Sequence, residues 1–252
     1  MKQTNKILAV VLSLVLVIGS LAACQTTEIP SLQSETYEAT VEITFSSDNA
    51  ALGEAIAKMQ NTTKICVDGD DLKVETNATV GTTSVQNIYT YFGGTLYHKQ
   101  SISADGKSAT VLERTSLDEE NRAQLLSDVG AGASIEATDF NIQNMEGDEL
   151  NHTNSCSRIT AKAKESLQAI YASKLQGFGT VELQGAEYVI VVENGREEKS
   201  TLTCHFAITM NGQSYEITMQ VVTDYDYDAA FAITVPADSA SYKQVLYSEM
   251  FD

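Results

Sequence analysis

The sequence predicts an α+β domain in which a large antiparallel sheet of about eleven strands carries about three amphipathic helices on one face. Three observations support this. Apolar and polar residues alternate along most of 37–236, and Asn-Gly, Asp-Gly and Gly-Gly pairs separate the alternating runs. Three segments then switch to a helical period. Connections are short and of antiparallel type, with no βαβ spacing, fixed-period repeat or low-complexity linker, so 37–252 reads as one domain.

In chain order, Tyr37, Ala39, Val41, Ile43 and Phe45 alternate with Glu38, Thr40, Glu42 and Thr44, a strand with one wet face. Leu52, Ile56 and Met59 then fall at helical spacing after Ser47-Asp48-Asn49. Ile65 and Val67 meet Leu72 and Val74 across Asp68-Gly69-Asp70-Asp71, and Tyr89 and Tyr91 meet Leu96 and His98 across Gly93-Gly94. Asp105-Gly106 separates strands near 95–103 and 108–115. Ser116 with Glu119 makes a capping box for a second helix carrying Leu125, Leu126 and Val129. Further strands are expected near 134–144, 152–161 and 180–193, the last ending at Asn194-Gly195. Between the last two, Ala163, Leu167, Ile170, Tyr171 and Lys174 form the stripe of a third helix, over 162–176, with Gly177 as its stop. In the final hairpin Asn211-Gly212 suits a two-residue turn with positive φ at both positions. That turn pairs Ile208 with Tyr215, Phe206 with Ile217, Cys204 with Met219 and Leu202 with Val221, apolar on apolar throughout.

Residues 1–23 have the pattern of an export signal: Lys2 and Lys6, an apolar run from Ile7 to Ile18, then small residues. No second apolar run approaches the roughly twenty residues of a membrane-spanning helix. Leu21-Ala22-Ala23-Cys24 resembles the bacterial lipobox, whose cysteine is diacylated and becomes the new N-terminus. The resemblance implies a lipid attached at Cys24 and a protein anchored to the extracytoplasmic face of a bacterial cell membrane, since two acyl chains hold where one is marginal. Residues 24–36 then form a lipidated polar tether, the part after Cys24 reaching at most roughly 40 Å when extended.

Acidic residues number 34 against 16 basic, a formal charge of −18; loss of Lys2 and Lys6 with the signal makes it −20. Such a balance argues against nucleic acid as a partner and against adsorption to an anionic membrane by charge. Membrane association is therefore expected through lipid alone. Cys66, Cys156 and Cys204 permit at most one disulfide; three unlinked cysteines is the plainer reading, and if a bridge exists, with Cys204 on an apolar phase and Cys66 on a polar one, Cys66–Cys156 is the pairing chosen.

Motifs of catalysis are missing from the sequence. His98, His152 and His205 are widely separated, there is no CxxC, GxSxG, SxxK or P-loop pattern, and Gly130-Ala131-Gly132 lacks a preceding strand. Neither an enzymatic activity nor a cofactor is expected. Asp224, Asp226 and Asp228 alternate as in the first half of a calcium loop, but Ala229 and Val235 replace the glycine and glutamate such a loop needs. Solvated acid at a strand end is the plainer reading. With 11 Tyr and no Trp, Tyr89, Tyr91, Tyr97, Tyr225 and Tyr227 are candidates for a stacking platform, or simply half-buried strand residues.

From strand count, helix placement and the final Phe231-Ala232-Ile233-Thr234-Val235-Pro236, which resembles a closing strand plus proline, the chain is similar to LolA/LppX-like lipoprotein carriers. The resemblance implies a curved, open half-barrel whose helices and concave face enclose a lipid or other hydrophobic ligand. Phe206, Ile208, Tyr215, Ile217 and Met219 of the sheet and Leu167, Ile170 and Tyr171 of the third helix would line that cavity; a closed core would show the same pattern. The competing expectation is an envelope interaction or sensor module that uses acidic and tyrosine-rich loops on a solid sheet. Replacing the lipobox cysteine, Cys24→Ser, is expected to move the protein from the membrane to the soluble fraction and abolish incorporation of an alkyne-tagged fatty acid. Continued labelling would refute lipidation at this residue.

Overall fold

The computed structural model describes residues 36–56, 59–117, 144–148, 150–156, 164–165, 168, 180–210 and 212–250. These residues build one sheet of 12 strands. The first six are β1 (Tyr37–Ser47), β2 (Met59–Asp68), β3 (Asp71–Val80), β4 (Thr83–Phe92), β5 (Thr95–Ala104) and β6 (Lys107–Ser116). The others are β7 (Asn144–Gly147), β8 (His152–Cys156), β9 (Thr180–Glu193), β10 (Arg196–Met210), β11 (Gln213–Asp226) and β12 (Lys243–Gln244). Their order is β12-β6-β5-β4-β3-β2-β1-β11-β10-β9-β8-β7. Two antiparallel meanders, β1–β6 and β7–β11, are thus joined side by side through β1 and β11. β12 adds a parallel pair on β6, with Lys243 opposite Glu113.

The expected α+β class is overturned: the described chain is essentially all β. One α-helix is described from end to end, α1 (Ala50–Ile56), only 7 residues long. Ser116 ends β6 instead of capping a helix, and the remainder of that expected helix, with Gly130-Ala131-Gly132, lies outside the described residues. Of the third, Lys164, Glu165 and Gln168 are helical, while Leu167, Ile170 and Tyr171 lie outside the described residues. The physical reason lies where the expected helices meet the described sheet: Met59 opens β2 and pairs with Val80, and Ser116 closes β6 and pairs with Thr95, so ladder hydrogen bonds claim residues that a helical period had assigned to helices. Residues 231–236 also lie outside every strand, so no closing strand forms there.

Hairpin registers follow the turn chemistry. Ile208 faces Tyr215, Phe206 faces Ile217, Cys204 faces Met219 and Leu202 faces Val221. Ile65 faces Val74, Tyr91 faces Leu96, and Tyr89 faces His98. Asp105-Gly106 and Asn194-Gly195 have positive φ at both positions, as a two-residue hairpin with right-handed strand twist demands. The core occupies one face, with Ala39, Val41 and Ile43 of β1 beside Met219, Val221 and Tyr225 of β11.

Two irregularities between β9 and β10 reset the side-chain phase. Glu197 faces Val192 while Lys199 faces Val191, so Glu198 is the extra residue, and Glu197 turns to the same buried face as Ser200 and Leu202. Gln184 is the extra residue at the other, between Leu183 and Gly185. Along that same stretch β8 pairs with 188–192, and no strand among the described residues lies against the outer edge of β9 near Val181. There the Gln168 amide donates to the Val181 carbonyl (2.6 Å) and accepts from the Leu183 N–H (2.5 Å), standing in for a strand and blunting the edge.

Cys66 and Cys204 are both buried free thiols. Cys66 is unlinked, and the alternative bridge to Cys156 does not form, since β2 and β8 are five strand spacings apart, roughly 24 Å. Burial, and secondarily Glu38, pushes the Cys66 thiol above its ordinary value.

The buried face is polar in its β2–β5 half. Asn61, Thr63, Thr76, Asn87 and His98 are all buried there. Thr63 and Thr76 share a hydroxyl hydrogen bond (3.1 Å), while Asn87 Oδ1 accepts from Gln100 (3.1 Å) and lies 3.3 Å from His98 Nε2. Tyr89 stacks on the His98 ring at 4.4 Å, and Glu113 Oε2 stays 3.9 Å from Nδ1, beyond hydrogen-bond reach. Burial lowers the His98 pKa from 6.5 to about 4. Between those values the unfolded chain binds a proton that the folded chain refuses, so stability falls as pH drops through that window and is fully present above it. In urea titrations the loss is expected to be on the order of 2–3 kcal/mol more for the native chain than for His98→Gln. Identical pH profiles for the two proteins would contradict this account.

Candidate functional site

β11 runs out beside the β9–β10 turn, and the chain enters the sheet at Tyr37 next to both. Alternation along β11 sends Tyr225 to the buried face and Asp224 and Asp226 outward. Asp224 is held by Lys199 (2.9 Å), and the Asp228 N–H donates to Asp226 (3.0 Å). The three aspartates therefore do not converge. Among the described residues no group of three or more His, Cys, Asp or Glu side chains is placed to hold a metal ion.

The tyrosines weighed as a stacking platform are divided among three places. Tyr89 stacks on His98, and Tyr97 meets Tyr242 edge-on at 5.5 Å. Tyr225 and Tyr227 join Tyr37, with centroid separations of 6.0 Å (Tyr37–Tyr225), 6.1 Å (Tyr37–Tyr227) and 6.1 Å (Tyr225–Tyr227). The Tyr227 hydroxyl donates to the Glu197 carbonyl (2.9 Å), fixing that ring, and the Arg196 guanidinium lies over it, 5.0 Å from the centroid.

Around these rings opens a cleft of about 380 Å³ lined by Glu193, Asn194, Arg196, Glu198, Tyr225, Asp226, Tyr227 and Asp228. Four carboxylates stand against one guanidinium, so the cleft favours cations by charge while its tyrosines offer aromatic faces. Tyr225 is only 6% exposed, and its hydroxyl has no hydrogen-bond partner among the described residues. Burial, with Glu197 nearby, raises its pKa well above the ordinary phenol value, so it remains a neutral donor and acceptor.

Sequence reasoning singled out Tyr225, Tyr227 and the aspartates but missed Glu193, Arg196, Glu197 and Glu198. The Asn194-Gly195 turn was the available signal for the first two. Nothing local marks the bulge that turns Glu197 inward.

The ligand-lining residues expected on the sheet also share one face. Phe206, Ile208 and Met219 are buried, while Tyr215 and Ile217 are half-buried, with the Tyr215 hydroxyl donating to Gln213 (2.7 Å). A second cleft, of about 310 Å³, lies across β3–β6 and carries uncharged side chains such as Asn77, Gln86 and Ser101.

No protein-family model matches the chain, and no curated protein does. A solved structure of an inactive CurJ dehydratase mutant in complex with a small compound aligns over 87% of this chain and 82% of its own, at 12% identity and a TM-score of 0.14. That TM-score is far below the level of a shared fold, and nothing about this chain follows from it.

An unpartnered buried hydroxyl costs stability that a binding site retains for its ligand. Tyr225→Phe is therefore expected to raise the stability of the ligand-free protein by about 1 kcal/mol in thermal melts. A drop of similar size would mean the hydroxyl is satisfied within the fold.

Proposed function

We propose that this chain is a lipid-anchored extracytoplasmic binding protein, not an enzyme, that engages a cationic partner through the cleft at the β9–β10 turn. The observation that carries this is the set of four carboxylates placed around two tyrosines, one of them with an unsatisfied buried hydroxyl. The lipobox-like Leu21-Ala22-Ala23-Cys24 supports the anchor. Tyr37 is both the first residue of β1 and a member of the tyrosine cluster, so the cleft stands where the expected tether joins the domain. It would then work within roughly 40 Å of the bilayer, on ligands at the membrane surface.

A second reading, a carrier of lipid or another hydrophobic ligand, is favoured by the adjoining Phe206, Ile208, Ile217 and Met219 on β10 and β11. The polar β2–β5 half of the same face limits such a ligand to the β9–β11 half. Binding of the intact, detergent-solubilised protein to immobilised hexa-arginine, with hexa-glutamate as control, tests the first reading. Retention on hexa-arginine alone, falling steeply from low to high salt, is expected because exposed charges are screened. Failure to bind at low salt sinks the cationic-cleft reading, and an organic extract of the same preparation that holds no lipid removes the carrier reading.

A further inference from the structure

The acidic cleft has an apolar neighbour. Leu150, in the turn between β7 and β8, is 59% exposed and lies against the β9–β10 turn, where a Cβ at Gly195 would stand 3.4 Å from its Cδ2. Asn194 and Arg196, on either side of that glycine, line the cleft. Isolated exposed leucines are ordinary on a protein surface, but this one is held in place by both turns. The Gly195 N–H donates to the Leu150 carbonyl (2.8 Å), and the Asn194 N–H donates to Asn151 Oδ1 (3.0 Å). Within its own turn, Asp148 Oδ1 accepts from the Leu150 and Asn151 N–H groups (2.9 and 2.8 Å). The leucine is thus fixed at its backbone while its side chain faces water.

The topology sets the footprint. β11 ends, β10 starts, β9 ends and β8 starts at one end of the sheet, side by side in that order. Asp226 ends β11 with Asp228 just beyond it, Glu198 lies on β10, Glu193 ends β9, and Leu150 precedes β8. Three strand spacings separate β11 from β8, roughly 14 Å. A single small amine covers a fraction of that row, whereas about four residues of extended chain span it, at roughly 3.3 Å each. Resting on the cationic-cleft reading, we infer that the partner is a basic polypeptide segment lying across these strand ends, its cationic side chains over the carboxylates of β9–β11 and an apolar side chain against Leu150. Such a segment is complementary along the whole row. Charge is matched on the β11 side, and methyl groups leave water on the β8 side. A small amine would leave Leu150 exposed, and an acyl chain would leave the carboxylates unmatched.

Isothermal titration of the intact detergent-solubilised chain at low salt tests this with three probes: arginine methyl ester, tetra-arginine flanked by serine pairs, and tetra-arginine flanked by leucine pairs. The two peptides carry the same charge, and flanking on both sides makes the result independent of chain direction. The leucine-flanked peptide is expected to bind roughly three- to tenfold more tightly than the serine-flanked one, and both more tightly than the ester. Leu150→Ser changes an exposed side chain, so the fold is expected to stand, as thermal melts would verify. In that variant both peptides are expected to bind equally, whereas Leu150→Met is expected to keep the preference. Ester binding as tight as that of the peptides overturns the polypeptide. Equal affinity of the two peptides for the native chain, or a leucine preference that survives Leu150→Ser, overturns the apolar contact and leaves the cationic cleft standing. Should none of the three probes bind, the cationic-cleft reading itself has failed.

Discussion

The ladder between β1 and β11 is the interaction on which the rest of the molecule depends. Every other antiparallel pair joins strands that follow one another in sequence, and this one joins the first strand to the last long one, from Glu38 opposite Asp226 to Ser47 opposite Ile217. Each meander on its own would leave a long strand edge open, which is a site for aggregation. The seam removes both edges at once and buries Ala39, Val41 and Ile43 against Met219, Val221 and Tyr225. Its closure fixes contacts far apart in sequence, so it carries the largest entropic cost of the topology and belongs to the slow part of folding.

The same seam builds the cleft. Pairing brings Tyr37, at the start of β1, beside Tyr225 and Tyr227 at the end of β11, and the β9–β10 bulge then adds Glu197 beneath them. Burying a phenol without a partner costs about 1–3 kcal/mol. Each well-buried aliphatic side chain of the seam contributes about 1.5–3 kcal/mol, so one or two of them offset it. The seam thus sits beside the unpartnered Tyr225 hydroxyl, an arrangement that holds an unsatisfied group in place ready for a ligand.

Polar side chains enter the buried face in two places. On the β9–β11 side Glu197, Ser200 and Thr223 lie beyond Leu183, Phe206, Ile208 and Met219; on the β2–β5 side Asn61, Thr63, Thr76, Asn87 and His98 lie among the apolar residues. Hydrogen bonds such as Thr63–Thr76 and Gln100–Asn87 offset the desolvation of that polar stripe. At the edge the C-terminal segment returns to seal β6, where the Val245 N–H donates to the Arg114 carbonyl (3.0 Å) and Val245 and Met250 join the core.

Much of the sheet was legible in the sequence. Turn pairs such as Asn194-Gly195 and Asp105-Gly106, with two-residue alternation on either side, determined the hairpins, their registers and the buried phase of Cys204. These are short-range effects, set by which residues tolerate positive φ and by which face must leave water. Part of the cleft was visible for the same reason, in Tyr225, Tyr227 and the aspartates between them. Only the tertiary structure decided that sheet outweighs helix, that β1 pairs with β11, that Cys66 and Cys156 lie far apart, and that Glu198 bulges so that Glu197 turns inward. Each of these depends on packing between segments distant in sequence, where local periodicity carries no information about which edge meets which.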